Sequence, residues 1–235
     1  MPTRPLVTSY AQDQKLFPDL WHKIGLVFAV IFCAVFPFMA DSYWLAIGNS
    51  ALIAVVGSIG MMILTGFAGQ ISLGHAAFLA LGAYTTAITS GSLGLPFWLA
   101  MPLSGLVATG VGLMVGPFAL RLRGLYLAIV TLGLLFLVNH LLMSFPDLTG
   151  GPSGLSVPMH SWFPAEGQDA PFGTFGNALE LGSVTIEWEQ KLYFVFLVVA
   201  AIAALVSKNI QRSNIGRAMV SVRDHDLAAA ALGVN

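Results

Sequence analysis

Of the chain's 235 residues, 57% are hydrophobic and only 9% are Asp, Glu, Lys or Arg, whereas a soluble domain carries about a quarter charged residues to wet its surface; the expected solvent is a bilayer. Its 10 basic and 11 acidic residues nearly cancel, which leaves no electrostatic footprint for nucleic acid. A lone cysteine, Cys33, lies in an apolar run, so a disulfide within the chain is excluded and the expected state is a buried, inert thiol.

Residues 1–23 mix Arg4, Asp13, Lys15, Asp19 and Lys23, and the following apolar run ends in Phe38-Met39-Ala40. No small residue stands two places before that alanine, so the segment is not a cleavable signal and the first span is expected to stay. A helix crossing ~30 Å of hydrocarbon needs about 20 apolar residues. Six stretches meet or approach that length: 24–40, 43–65, 71–89, 96–120, 125–145 and 188–206. The first is short and carries Pro37, and the last spans only if Trp188 and Tyr193 serve as an interfacial aromatic belt. The expected fold class is an all-α polytopic membrane protein with about six transmembrane helices.

Lysine and arginine concentrate on the cytoplasmic side of membrane proteins. With a cytoplasmic N-terminus and alternating spans, Arg4, Lys15, Lys23, Arg121, Arg123, Lys208, Arg212, Arg217 and Arg223 fall inside and only Lys191 falls outside. The chain then divides into a cytoplasmic segment 1–23, a transmembrane domain 24–206 and a cytoplasmic tail 207–235. One long external loop, 144–190, holds Asp147, Glu166, Asp169, Glu180, Glu187 and Glu189 without a basic residue. Within it, Leu179, Leu181, Val184, Ile186 and Trp188 alternate around Gly182-Ser183, a weak hairpin signal.

Between the second and third spans, Gly66, Gly69 and Gly74 interrupt a helical apolar pattern, and Gln70, Ser72 and His75 bring polar groups to the start of the third span. Non-helical backbone at membrane depth needs protein or a water-filled cavity to satisfy it, and discontinuous helices mark translocation paths. Spacing alone favours the plainer alternative, a cytoplasmic turn with these side chains at the interface. His75 has no second His, Cys or carboxylate at ligand spacing, so no metal is expected. Ala108, Gly112 and Gly116 share a small face that fits an ordinary helix contact better than a dimer face. Arg121 and Arg123 fix topology at the headgroups, and Thr131, Asn139 and His140 read as polar glue between helices.

The run Leu148–Leu155, "LTGGPSGL", looks like a phosphate loop but lacks the Gly-Lys-Ser/Thr ending and follows a helix. It is expected to be a turn capping the fifth helix, or a gate beside the external opening. No nucleotide-binding motif occurs, so an ATP-driven process needs another subunit. In the tail, one continuous helix would put Asp226 in the middle of the face formed by Ile215, Ala218, Met219, Val222 and Ala229. Two short helices fit better: one from a Ser213 or Asn214 cap to about Val222, and one over 227–232 with Asp226 as N-cap and Gly233 as left-handed stop. Spacing leaves open whether this pair docks in a partner's groove or lies on headgroups, held by Arg217 and Arg223.

The stretches "GQISLGHAAFLALGAYTTA", "LRLRGLYLAIVTLG" with "LTGGPSGL" after it, and "SNIGRAMVSVRDHDLAAAALGVN" together resemble, in this order, the inner-membrane permeases of branched-chain amino acid ABC transporters of the LivM-like type. The resemblance runs over 49–235 apart from the long external loop. It implies a multi-pass protein of the bacterial inner membrane that is not itself an enzyme. It also implies that the tail is a coupling loop docking on a cytoplasmic ATPase subunit through Gly216, Arg217, Ala218, Arg223, Ala228, Ala229 and Gly233. The implied partners are a second permease subunit, the ATPase subunits and a periplasmic substrate-binding protein; no cofactor is implied for this chain, since ATP binds the partner subunit. Gln70, Ser72 and His75 become candidates for the translocation path. Related permeases for urea or short amides share these motifs. An ATP-independent carrier would need ionisable groups at membrane depth, and the apolar centres of the spans offer only histidines. Family members continue after the coupling loop with further spans, so a truncated sequence is expected.

Overall fold

The computed structural model describes residues 20–91, 93, 95, 97–119, 122, 124–155, 179–181, 184–231 and 233. In chain order these form α1 (Leu20–Met39), α2 (Ser42–Met61), a π-helix π1 (Met62–Phe67) that continues it, α3 (His75–Gly91), α4 (Phe97–Ala119) and α5 (Leu125–Ser144). A short α6 (Pro146–Thr149) and a 3-10 turn (Gly151–Ser153) follow, then β1 (Leu179–Leu181), β2 (Val184–Ile186), α7 (Trp188–Arg212), α8 (Asn214–Asp224) and α9 (Asp226–Ala231). The fold is an all-α polytopic membrane protein with one small hairpin, in which Leu179 pairs with Ile186 and Leu181 with Val184. The expected basic residues Arg4, Lys15, Arg121 and Arg123, and most of the external loop, lie outside the described residues.

Six long helices occupy the six expected stretches, but only four among the described residues are both long and apolar enough to cross a membrane: Ser42–Phe67, Leu99–Pro117, Leu125–Ser144 and Trp188–Arg212. The apolar part of α1, Val27–Met39, is shorter. The third stretch is corrected most: α3 begins at His75, not at residue 71, and its 17 residues rise only about 25 Å at 1.5 Å each. Ile71 and Leu73 look like helix in composition, yet the turn before them consumes their backbone.

Large apolar side chains point outward, as lipid permits: Phe28, Leu106, Leu113, Met114, Leu125 and Tyr126 are all exposed. Beside Leu45, Phe67, Leu127 and Tyr193, much of what is buried is small. Ala77, Ala87, Ala100, Ala128, Ala200 and Ala229 make up much of the interior, because helices in lipid associate through close backbone approach and not through water exclusion. The main pairings are α2 along α7 and α3 along α4, with α5 resting on α3. Gly112 of α4 sits beside Phe78 of α3, where a β-carbon would lie 3.7 Å from the ring, whereas Gly116 one turn on has nothing within 4 Å; of the small face of α4, Gly112 makes an intramolecular contact.

α1 is fastened to α7. The rings of Phe36 and Tyr193 lie 5.6 Å apart, those of Phe38 and Phe194 5.9 Å apart, and Gly48 of α2 leaves room for the first pair. Tyr193 is therefore buried and is no part of an interfacial belt. Gln190 serves twice: its Oε1 accepts from the Glu187 amide at 3.0 Å as half of a capping box, and its Nε2 donates at 2.7 Å to the Pro37 carbonyl, one of the last carbonyls of α1 that lack helical partners. Cys33 is half-buried, not fully enclosed.

Candidate functional site

The two segments singled out in the sequence, the break before α3 and the tail, meet in space. At the break, α2 loosens into π1, with the Ala68 amide donating to Ile63 O at 3.2 Å and the Gln70 amide to Leu64 O at 3.1 Å. Such wide helical turns recur at functional sites. The chain reverses at Gly69, whose φ of +68° suits a residue without a β-carbon. Ser72 is buried and its Oγ accepts from the Gly74 amide at 3.3 Å. The Gly74 carbonyl accepts from the Ala77 amide at 3.0 Å, which starts α3.

α5 completes the turn. The Leu73 amide donates to Thr131 Oγ1 at 2.9 Å, and a β-carbon on Gly74 would lie 2.9 Å from the Thr131 carbonyl oxygen, so glycine is what lets the two backbones touch. Of the path candidates, Ser72 is buried and accepts a hydrogen bond within its own turn. Gln70 is half-buried, and His75, half-buried at the first position of α3, keeps a buried Nδ1 without a hydrogen-bond partner among the described residues. Thr131 was read in the sequence only as glue; its specific role carries no sequence signal, since Leu73 lies 58 positions away.

The tail is built from Ser213. Its backbone (φ −71°, ψ 163°) ends α7 and caps α8 at once. The hydroxyl donates to Ile210 O at 2.7 Å and accepts from the Gly216 amide at 3.1 Å. Gly216 is buried, and a methyl there would overlap the Ile210 carbonyl; α8 is pinned hard against the end of α7. His225 is extended (φ −155°) and breaks the helix. α9 then starts at Asp226, whose Oδ1 accepts from the Leu227 amide at 2.9 Å, and the chain turns at Gly233 with φ +84°. Two short helices with a bend thus replace one continuous helix.

Of the remaining tail positions, Ala229 is buried, Ala218 half-buried and Ala228 exposed. Arg217 is exposed and its Nη2 donates to Asn214 Oδ1 at 2.5 Å. Ile215 and Leu227 are 70% and 84% exposed, one apolar side chain in the first turn of each tail helix. Arg223 is different. Its Nη1 donates to the Gly66 carbonyl oxygen in π1, its Nε and Nη2 pair with Asp224 Oδ1 at 2.9 and 2.8 Å, and its stem covers Gly69. The glycines at 66 and 69 were legible as a helix break, but not as the seat of Arg223.

Among the described residues no cluster of three or more His, Cys, Asp or Glu is placed to hold a metal.

The chain is 33% identical over 218 residues to the high-affinity branched-chain amino acid transport system permease protein LivM of Escherichia coli (strain K12), covering 91% of this chain and 51% of that protein. Against the protein of the same name from Salmonella typhimurium (strain LT2), identity and both coverages are the same. The chain therefore spans about half the length of the curated relatives it matches. No solved structure matches it. The family model described as branched-chain amino acid transport system / permease component matches residues 43–235, and the chain belongs to that family.

Proposed function

We propose that this chain is part of the membrane-spanning permease of an ATP-driven importer of branched-chain amino acids in a bacterial inner membrane. Its N-terminal segment 1–23 and its tail 207–235 face the cytoplasm, and 144–190 faces outward. Cytoplasmic ATPase subunits bind the ATP, a second permease subunit completes the path, and a periplasmic substrate-binding protein meets the outer surface. The observation that carries this reading is the α8–α9 hairpin, pinned on α7 by Ser213 and Gly216 and exposing Ile215 and Leu227. Exposed apolar side chains on a rigid helical hairpin suit a groove in a protein partner.

ATP binding would favour one of two membrane conformations through its differential affinity for them, and the hairpin is the handle by which that preference reaches the membrane. Gln70 and His75 lie at the break before α3, where non-helical backbone and a buried ring nitrogen without a partner among the described residues suit a solute path. The test is uptake of leucine by proteoliposomes holding the full-length protein with its ATPase and second permease subunit. Uptake that requires ATP, and that Leu227→Asp lowers about tenfold by releasing the ATPase, supports the reading. Uptake indifferent to the ATPase sinks it.

A further inference from the structure

Arg223 reaches back from the tail to a carbonyl of the break before α3, and it bridges 157 positions of sequence to do so. The acceptor, Gly66, lies in the last turn of π1, where carbonyls lack helical partners and carry the negative end of the helix. A guanidinium fits that place by charge and by hydrogen bonding. Asp224 holds the fork in plane through two bonds to one carboxylate oxygen, at 2.9 and 2.8 Å.

The aliphatic stem is equally committed. A β-carbon on Gly69 would lie 3.3 Å from Arg223 Cβ and 3.2 Å from Cδ, so glycine at the reversal point is also the seat of the arginine. From there the chain is fastened onward: Leu73 to Thr131 of α5 at 2.9 Å, and Gly74 to the first turn of α3. Displacement of α8 is therefore handed to π1, to the turn holding Gln70 and His75, and to the start of α3 without passing through α7.

We infer that Arg223 is a positioning residue, a strut inside this chain between the α8–α9 hairpin and the break before α3, and that it passes the hairpin's movement to the solute path instead of gripping the ATPase. This deepens the proposed function and rests on it. The strut stays engaged throughout the cycle, and the exposed Ile215 and Leu227 do the docking.

The experiment uses the full-length protein assembled with its ATPase and second permease subunit in proteoliposomes, and reads two quantities: ATPase retained on the complex, and ATP hydrolysis stimulated by leucine with its binding protein. Arg223→Ala lowers stimulation about tenfold, the scale of one lost charge-assisted hydrogen bond, while the ATPase stays bound. The second variant pairs Gly69→Cys with Arg223→Cys in a background lacking Cys33 and any other cysteine. The 3.3 Å spacing is close to the β-carbon separation of a disulfide, about 3.5–4.5 Å. Gly69→Cys alone gives the reference for a β-carbon at φ +68°; reduced, the pair falls below that reference as Arg223→Ala falls below the unaltered protein, and oxidised with copper phenanthroline it regains stimulation, because a covalent link replaces the strut. Loss of bound ATPase in Arg223→Ala that oxidation of the pair does not reverse overturns the inference in favour of a partner contact. Unchanged stimulation in Arg223→Ala, or a linked pair that does not regain stimulation, overturns it as well. If the unaltered assembly retains no ATPase, it is the proposed function that fails.

Discussion

The amide of Leu73 donates to the hydroxyl oxygen of Thr131 at 2.9 Å, so the partner that the interrupted second and third helices cannot supply comes from α5. Thr131 is buried and its hydroxyl proton goes to Ala128 O at 3.0 Å. Both functions of the hydroxyl are used. Thr131→Val keeps the shape and leaves the Leu73 amide unsatisfied, which costs about 1–3 kcal/mol. Thermal unfolding of the detergent-solubilised full-length protein should show a lowered midpoint for Thr131→Val and a near-normal one for Thr131→Ser. Equal midpoints for Val and Ser would mean that the bond contributes nothing.

Glycine substitutions should divide sharply by site. Gly116 in α4 has nothing within 4 Å of a β-carbon position, so Gly116→Ala should be neutral or stabilising by about 0.5–1 kcal/mol from helix propensity. Gly216→Ala drives a methyl into the Ile210 carbonyl, and overpacking of that kind costs about 1–3 kcal/mol. Limited proteolysis after Arg212 and Arg217 in inverted vesicles reads the difference: cleavage should accelerate in Gly216→Ala and stay unchanged in Gly116→Ala. A protected tail in both would show that α8 is not pinned.

Tyr193 fills the space between α1 and α7, against Phe36 at 5.6 Å and beside Cys33. Tyr193→Ala removes the ring and leaves a cavity, a loss of about 3–5 kcal/mol for large aromatic truncations. The first helix should then loosen, and Cys33 should react several-fold faster with a maleimide. Tyr193→Phe keeps the stacking and should label at nearly the original rate. Identical labelling of all three proteins would place the hold on α1 elsewhere, in the Gln190–Pro37 bond.

The long helices were legible because lipid imposes a length and a polarity on them, and the tail was legible because Asp226 cannot sit in the apolar stripe of a continuous helix. Gly233 and the turn at Leu148–Leu155 could be read for the same local reason: Gly150 adopts φ +70° and Thr149 Oγ1 donates to Phe145 O at 2.8 Å, closing the end of α5. What the sequence hid was contact across distance. Ile71 and Leu73 count as apolar in any window, so composition starts the third helix four residues early; the turn that displaces its start depends on Thr131, far along the chain. Tyr193 had the composition of an interfacial residue and is buried because Gly48 and Phe36 happen to face it. Arg223 was marked in the sequence as a cation at the cytoplasmic boundary, and no periodicity could have pointed it at Gly66.

Ala77 and Ala87 of α3 and Ala100 of α4 are buried, and side chains this small bear on how packed helices move. Branched side chains interdigitate like gear teeth, and sliding past them means lifting one set over the other. Methyl groups present a smoother bearing, so helices packed through them can shear by an ångström or two with few rotamers to choose again. A bundle lubricated in this way yields at low cost along one direction while staying held in the others.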